Sequence, residues 1–245
     1  MTTGSDLREN IYSEYGRDFQ DSGDIFDPVA ADRWGKAYDW YFRGWLPTDK
    51  AAVIGELAPG MGKMLYFLKV RGYTNLSAVD ISPDQVRMAR QVTDDVALGS
   101  ALEWLAARKG RFDLLIALDL IEHFTRPEAL EFLDLCYAAL KPGGRLILQT
   151  PNGDSPFGLQ HRYNDMTHEW CFNNNLLERL MRRSGFESIE GREMGPPPLG
   201  YSLKATARFM IWRVARALIQ LVNIAEQGGP EPVLTRIFLM SGVRR

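Results

Sequence analysis

The sequence predicts an α/β fold, a Rossmann-like, doubly wound and mostly parallel sheet with helices on both faces. Short apolar runs alternate with amphipathic stretches from Ala52 to about Gly191, as strand–helix–strand units require. A glycine-rich turn, Ala58-Pro-Gly-Met-Gly62, follows the first of these runs and opens a helical pattern, and an acid, Asp80, closes the second run. With 245 residues, 45% hydrophobic and 24% charged, the chain is large enough to fill one core of this class.

In chain order, the runs Ala52 to Leu57, Leu76 to Ile81, Val96 to Leu98, Asp113 to Asp119, Arg145 to Thr150 and Phe186 to Arg192 read as strands. Two helix starts lie between them. Ser82-Pro-Asp-Gln85 and Thr125-Arg-Pro-Glu128 each read as a capping box with proline in the first turn. The last run, Arg236 to Val243, returns as a final edge strand. The expected division is an N-terminal lid segment over 1–50, a core over 51–193, an insertion over 194–235 and the final edge strand over 236–245.

The lid segment begins polar and mobile and then carries Trp34, Tyr38, Tyr41 and Trp45, spaced to share one helical face. That face either packs over the sheet or walls a pocket by stacking on a sugar. The insertion follows Gly195-Pro-Pro-Pro198. From Leu203 to Ala225 it carries an apolar stripe (Leu203, Ala207, Met210, Ile211, Val214, Leu218, Leu221, Val222, Ala225) beside Lys204, Arg208, Arg213 and Arg216, with no acid before Glu226. Each mid-helix arginine would cost about 2.5–3.5 kcal/mol in a bilayer, so a surface helix is expected rather than a span. Phe209 and Trp212 fall outside the stripe and point to contact with a membrane interface, a partner or a lipid-carried substrate.

Lys and Arg total 29 against 31 Asp and Glu, a formal charge of -2, which argues against a nucleic-acid binder. Cys136 and Cys171 form no metal or disulfide spacing, and no apolar run follows a basic start. A cytoplasmic protein is expected, with peripheral contact at the inner membrane surface through 203–225 and a homodimer as open alternatives.

The glycine turn is the most specific feature. Gly60 and Gly62 allow a tight turn and close backbone approach to a ligand, and Asp80 at the end of the next strand can accept from both hydroxyls of a ribose. A dinucleotide would bring its pyrophosphate to this loop, where Glu56 is an ill-suited neighbour. The third glycine of the dinucleotide fingerprint is also missing, its place being taken by Leu65. S-adenosylmethionine carries a sulfonium and an ammonium and no phosphate, and an acidic loop suits it.

Glu56-Leu-Ala-Pro-Gly-Met-Gly62 resembles the first motif of class I S-adenosylmethionine-dependent methyltransferases, with Ala58 in place of the first glycine. Phe112-Asp-Leu-Leu-Ile-Ala-Leu-Asp-Leu-Ile-Glu-His123 resembles the family's fourth-strand motif, and Leu140-Lys-Pro-Gly-Gly-Arg-Leu-Ile-Leu148 its turn into the fifth strand. The ordered set covers roughly residues 50 to 190. The resemblance implies an antiparallel final strand. It also assigns cofactor roles to Glu56 and Ala58 in the loop, Gly60 and Gly62 at the backbone approach, Asp80 at the ribose, Ile81, Ser100 and Ala101 at the adenine, and Asp119 near the methionine moiety. Gly99-Ser100-Ala101 departs from relatives that carry an acid there, leaving Ser100 as the hydrogen-bonding group.

Methyl transfer is an in-line displacement for which the protein mainly aligns the reactants, and a base helps a hydroxyl acceptor. His123, just past the fourth strand, faces the donor's end of the pocket or else serves as a capping histidine. His161-Arg-Tyr-Asn-Asp-Met-Thr-His168, in the long connection after the fifth strand, should face the acceptor. His161, Asp165 and His168 there supply a base with an orienting carboxylate, ligands for a divalent metal, or a structural loop, and the first is favoured, with no metal assigned. The run is similar to one in methyltransferases of bacterial polysaccharide and O-antigen clusters, which implies O-methylation of a sugar or lipid-linked saccharide. The alternatives are a small-molecule, quinone-precursor-like methyltransferase, a non-catalytic cofactor-binding scaffold, and, at fold level, a nicotinamide oxidoreductase.

Overall fold

The computed structural model describes Ile11, residues 25–198 and residues 201–245. The polar beginning of the expected lid segment lies, apart from Ile11, outside the described residues. Among the elements described in full, two short helices come first, α1 (Pro28–Gly35) and α2 (Tyr38–Tyr41), followed by β1 (Val53–Leu57), α3 (Lys63–Lys69), β2 (Asn75–Asp80), α4 (Pro83–Ala89), β3 (Val96–Leu98), α5 (Ala101–Ala106) and β4 (Phe112–Leu118). After a 3₁₀ turn (Ile121–His123) come α6 (Arg126–Ala139), β5 (Leu140–Pro151), α7 (Leu159–Tyr163), α8 (Asn174–Arg183), β6 (Phe186–Glu193), α9 (Leu203–Gln227) and β7 (Ile237–Arg244).

The seven strands form one sheet in the order β3-β2-β1-β4-β5-β7-β6. The first five are parallel, and β7 is antiparallel to both β5 and β6. Successive residues of β4 serve opposite faces: Leu115 and Ala117 join the core under α6, while Leu114 and Ile116 join the one under α2 and α3. This two-sided burial gives the parallel strands their continuous apolar runs.

The structure corrects four expectations. β7 is not an edge strand, since it lies between β5 and β6 and β6 takes the edge. Phe238, Leu239 and Met240 are at most 1% exposed, so the unbroken apolar run marked an interior strand. The aromatic segment is two helices rather than one, broken after Gly35. Tyr38, Tyr41 and Trp45 are buried beneath it, and only Trp34 reaches the cavity described below. Ser82 makes no side-chain cap on α4: its buried Oγ has no hydrogen-bond partner, while its N–H donates to Asp80 Oδ1 at 2.9 Å. The Thr125 box is formed, with Thr125 N–H donating to Glu128 Oε2 at 2.7 Å. Finally, Phe209 and Trp212 do not point outward. They sit half-buried on the side of α9 that faces the body, where Arg216 Nε meets Glu193 Oε1 at 2.9 Å and Gln220 Oε1 accepts from Glu231 N–H at 2.9 Å.

Candidate active site

At the β1/β4 junction the connections diverge to opposite sides of the sheet, and such a switch point leaves a crevice at the carboxyl ends of the strands. A cavity of about 690 Å³ lies there. Of the residues singled out from sequence, Glu56, Ala58, Gly60, Asp80, Ile81, Ser100, Ala101, Asp119, His123, His161, Asp165 and His168 all line it. Gly62 does not. It caps α3 at φ 83°, and a Cβ there would meet Ala89 Cα at 3.1 Å, so this glycine is required for packing the loop on α4 rather than for approach to a ligand.

Two non-glycine residues on the cavity wall have positive φ, Ala58 at 55° and Asp119 at 53°. Each ends a strand just where the chain must turn away from the pocket, a position where backbone strain tends to collect. Ala58 occupies the place of the motif's first glycine and keeps its left-handed backbone.

The carboxylates are placed as follows. Glu56, at the end of β1, is 2% exposed, and its Oε2 has no hydrogen-bond partner. Burial pushes its carboxyl up to about 8, the nearby Asp80 charge adds to this, and the Leu65 N–H opposes it. Asp80 Oδ2 accepts from Gly60 N–H at 3.2 Å and Oδ1 from Ser82 N–H. Burial raises its carboxyl to about 6 against these backbone bonds. Asp119 opens onto cavity solvent yet lies deep between strands, and that desolvation raises it to about 6 while the bond from Gln149 holds it down. Gln149 Nε2 donates to Asp119 Oδ2 at 2.6 Å, and Gln149 Oε1 accepts from Tyr38 O–H at 2.8 Å, which ties the aromatic segment to the pocket floor.

The acceptor side is built from the 3₁₀ turn and the 152–173 connection. His123 is 8% exposed, and its Nδ1 lies 2.8 Å from Thr167 Oγ1. The Thr167 hydroxyl is also 2.6 Å from Asp165 Oδ1, to which it must donate its single proton when that carboxylate is ionised. Thr167 Oγ1 is therefore an acceptor toward His123, which places the imidazole hydrogen on Nδ1 and makes Nε2 the basic ring atom. His168 packs edge-on against His123 at 4.7 Å between centroids, with its buried Nδ1 unpartnered. Burial lowers both His161 and His168, helped at His161 by Arg236 and opposed at His168 by Asp165.

Glu122 is fully buried. Thr150 O–H donates to its Oε2 at 3.0 Å, its Oε1 has no partner, and burial together with the Asp119 charge drives its carboxyl well above the ordinary range. One ligand atom each from Glu122, His123 and His168 lies within 4.8 Å of the others, so this is the trio, rather than His161, Asp165 and His168, that could hold a divalent ion. Sequence reading assigned no role to Glu122, Thr167 or Gln149, and it placed Tyr38 only on the aromatic face of the lid segment. Glu122, adjacent to His123, and Thr167, inside the His161–His168 run, had a local signal, and Gln149 had none.

The methyltransferase-domain family model matches residues 45–190, well over half of the chain. The chain belongs to the methyltransferase-domain family. Among curated proteins, the methyltransferase is 31% identical over 97 residues to a ubiquinone biosynthesis O-methyltransferase of Xanthomonas campestris, a stretch covering 37% of this chain and 40% of that relative's length. Among solved structures it superposes on a SAM-dependent methyltransferase from Archaeoglobus fulgidus with TM-score 0.63 and 18% identity, covering 96% of this chain and 98% of that one. The phosphoethanolamine N-methyltransferase 2 of Haemonchus contortus, in complex with S-adenosyl-L-methionine, gives TM-score 0.54 at 17% identity, covering 94% of this chain and 60% of that one. The solved structures establish the Rossmann-like fold, and both are named with S-adenosylmethionine, one as dependent on it and one as its complex.

The residues of this methyltransferase fit that cofactor. The cavity is lined by Glu56, Asp80, Asp119, Glu122, Glu128 and Asp165 against Lys63 and three histidines, which suits a cationic ligand better than a pyrophosphate. The orphaned Glu56 Oε2 supplies a buried acceptor of the kind an ammonium would satisfy.

Proposed function

We propose that the protein is an O-methyltransferase in which His123 is the general base and Thr167 and Asp165 hold it in the productive tautomer. The Asp165–Thr167–His123 chain of short contacts, ending at the cavity, carries this reading. S-adenosylmethionine supplies a methyl carbon activated by its sulfonium. Asp80 is the acceptor for the ribose hydroxyls, Ile81, Ser100 and Ala101 flank the adenine, and Glu56 and Asp119 face the ammonium. At the other end, His123 Nε2 removes the proton of the acceptor hydroxyl as the oxygen attacks, and the carboxylate of Asp165, relayed through Thr167, steadies the imidazolium that forms. His161 and His168, kept neutral by burial, position the acceptor without repelling the donor's positive charge.

The acceptor in this reading is a sugar or lipid-linked saccharide, supported by the polar loop 161–168, and the reaction takes place in the cytoplasm. The names of the Xanthomonas relatives favour a second reading, the phenolic hydroxyl of a quinone precursor. Incubation with methyl-labelled donor and separate saccharide, lipid-linked saccharide and quinone-precursor fractions tests both. Label confined to the quinone-precursor fraction selects the second reading, and label in none of them rejects O-methylation of these classes.

A further inference from the structure

The outer side of α9 is apolar along its whole length, and no segment among the described residues covers it. Leu203 is 92% exposed, Met210 58%, Ile211 69%, Val214 62%, Leu218 60%, Leu221 63% and Val222 62%. Monomeric soluble proteins rarely leave so continuous an apolar surface in water. The helix has no buried residue, and its opposite side is already used, by Trp212 against Gly195 and by Arg216 and Gln220 against Glu193, Pro232 and Glu231. At 100° per residue, Lys204 and Arg208 fall along one margin of the apolar face and Arg213 along the other, and the helix holds no acid before Glu226. All three are exposed.

No described helix is long and apolar enough to cross a membrane. A wide apolar face with basic margins is instead the pattern of a helix lying in the plane of an anionic lipid surface, its apolar side sunk to the acyl boundary and its cations at the headgroups. A second copy of the chain would bring the same Lys and Arg margins together, like charge against like.

The placement of α9 ties this face to the site. It leaves the carboxyl end of β6 at Glu193 and re-enters β7 at Ile237, which lines the cavity, so both roots of the insertion sit on the edge of the sheet where the cavity opens. On that edge the acceptor loop also exposes large apolar side chains: Phe157 at 55%, Leu159 at 67%, Tyr163 at 74% and Met166 at 77%.

We infer that the outer face of α9 docks the protein on an anionic lipid bilayer and that the cavity takes its acceptor from that surface, as a lipid-borne hydroxyl compound. The docking stands by itself, whereas the acceptor class rests on the O-methyltransferase reading above. Each basic side chain brought to an anionic surface contributes about fivefold in partitioning, on the order of 100-fold for the three together.

Flotation of the full chain with vesicles of phosphatidylcholine, alone or mixed with phosphatidylglycerol, tests the docking. Binding is expected to the mixed vesicles only, to fall steeply at high salt, to drop by roughly 25-fold in Arg208→Gln/Arg213→Gln, and to be lost in Val214→Glu/Leu218→Glu. The exposed positions of the last pair leave the fold intact, which circular dichroism and retained S-adenosylhomocysteine binding would verify. Wild-type protein that ignores the mixed vesicles, or folded Val214→Glu/Leu218→Glu that still floats, overturns the proposal. So does a wild-type dimer that becomes monomeric in that variant without any vesicle binding. Vesicle binding with no label transfer to any hydroxyl would leave the docking intact and refute the enzymatic reading alone.

Discussion

Binding of S-adenosylmethionine to this protein should expel a proton, and Glu56 should be its source. The free Glu56 carboxyl is held at about 8, so at pH 7 about nine-tenths of it is protonated. An ammonium beside the unpartnered Oε2 favours the carboxylate and draws the group back toward its ordinary value. By linkage, affinity then rises roughly ninefold between pH 6 and 7 from this group alone. Asp80 and Asp119, both near 6, contribute about threefold more between them over the same interval. Glu56→Gln should retain only that smaller dependence. Isothermal titration in two buffers of different ionisation enthalpy, at pH 7, counts the protons directly: about one released by wild type and a small fraction of one by Glu56→Gln. Equal release from both proteins, or none from wild type, would refute the assignment of Glu56 to the ammonium.

The same group sets the pH dependence of the free protein. Because folding raises the Glu56 pKa, its contribution to stability is complete below about 4.5 and is lost as pH rises through about 8, a ceiling of about 5 kcal/mol. Calorimetric melting should show Glu56→Gln gaining on wild type toward pH 8, with no such gain near pH 5. Thr167→Val, nearly isosteric and removing only the hydroxyl that joins Asp165 to His123, should lower kcat by roughly 10- to 100-fold with little change in donor KM. Thr167→Ser should restore most of the rate, and single-turnover label transfer distinguishes the two. Gly62→Ala should cost about 1–3 kcal/mol in urea denaturation, from the left-handed backbone and the 3.1 Å approach to Ala89 Cα. Insensitivity at that position would contradict the packing role assigned to it.

The cavity wall formed by the residues read as cofactor-binding was legible because its signals are local. A strand end, a tight turn and the next strand end place Glu56, Gly60 and Asp80 together by chain geometry alone, and all three line the cavity. The wall proposed to be catalytic depends on contacts between distant parts of the chain. Thr167 meets His123 across 44 residues and Tyr38 meets Gln149 across 111, and no periodicity encodes such pairings. Strand order was hidden for a related reason. The run Ile237–Met240 announces a strand buried on both faces, but its neighbours are chosen by where the sheet has an open edge, not by its own sequence. The stripe on α9 was read correctly as apolar, whereas the roles of its two sides were not. Trp212 packs on Gly195, and half-buried Phe209 shares its side of the helix with Arg216 and Gln220, which reach Glu193 and the 231–232 return, so the stripe faces outward.

The proposed pocket is lined by carboxylates, takes a cationic nucleoside without phosphate and sets Asp80 at its ribose. Calorimetric titration of S-adenosylhomocysteine into wild type and Asp80→Ala, with reduced nicotinamide dinucleotide as the competing ligand, tests it most directly. Saturable one-to-one binding to wild type, weakened by about tenfold or more in Asp80→Ala and absent for the dinucleotide, is the predicted result. Binding of the dinucleotide in preference to S-adenosylhomocysteine, or equal affinity of both proteins for the latter, would contradict it.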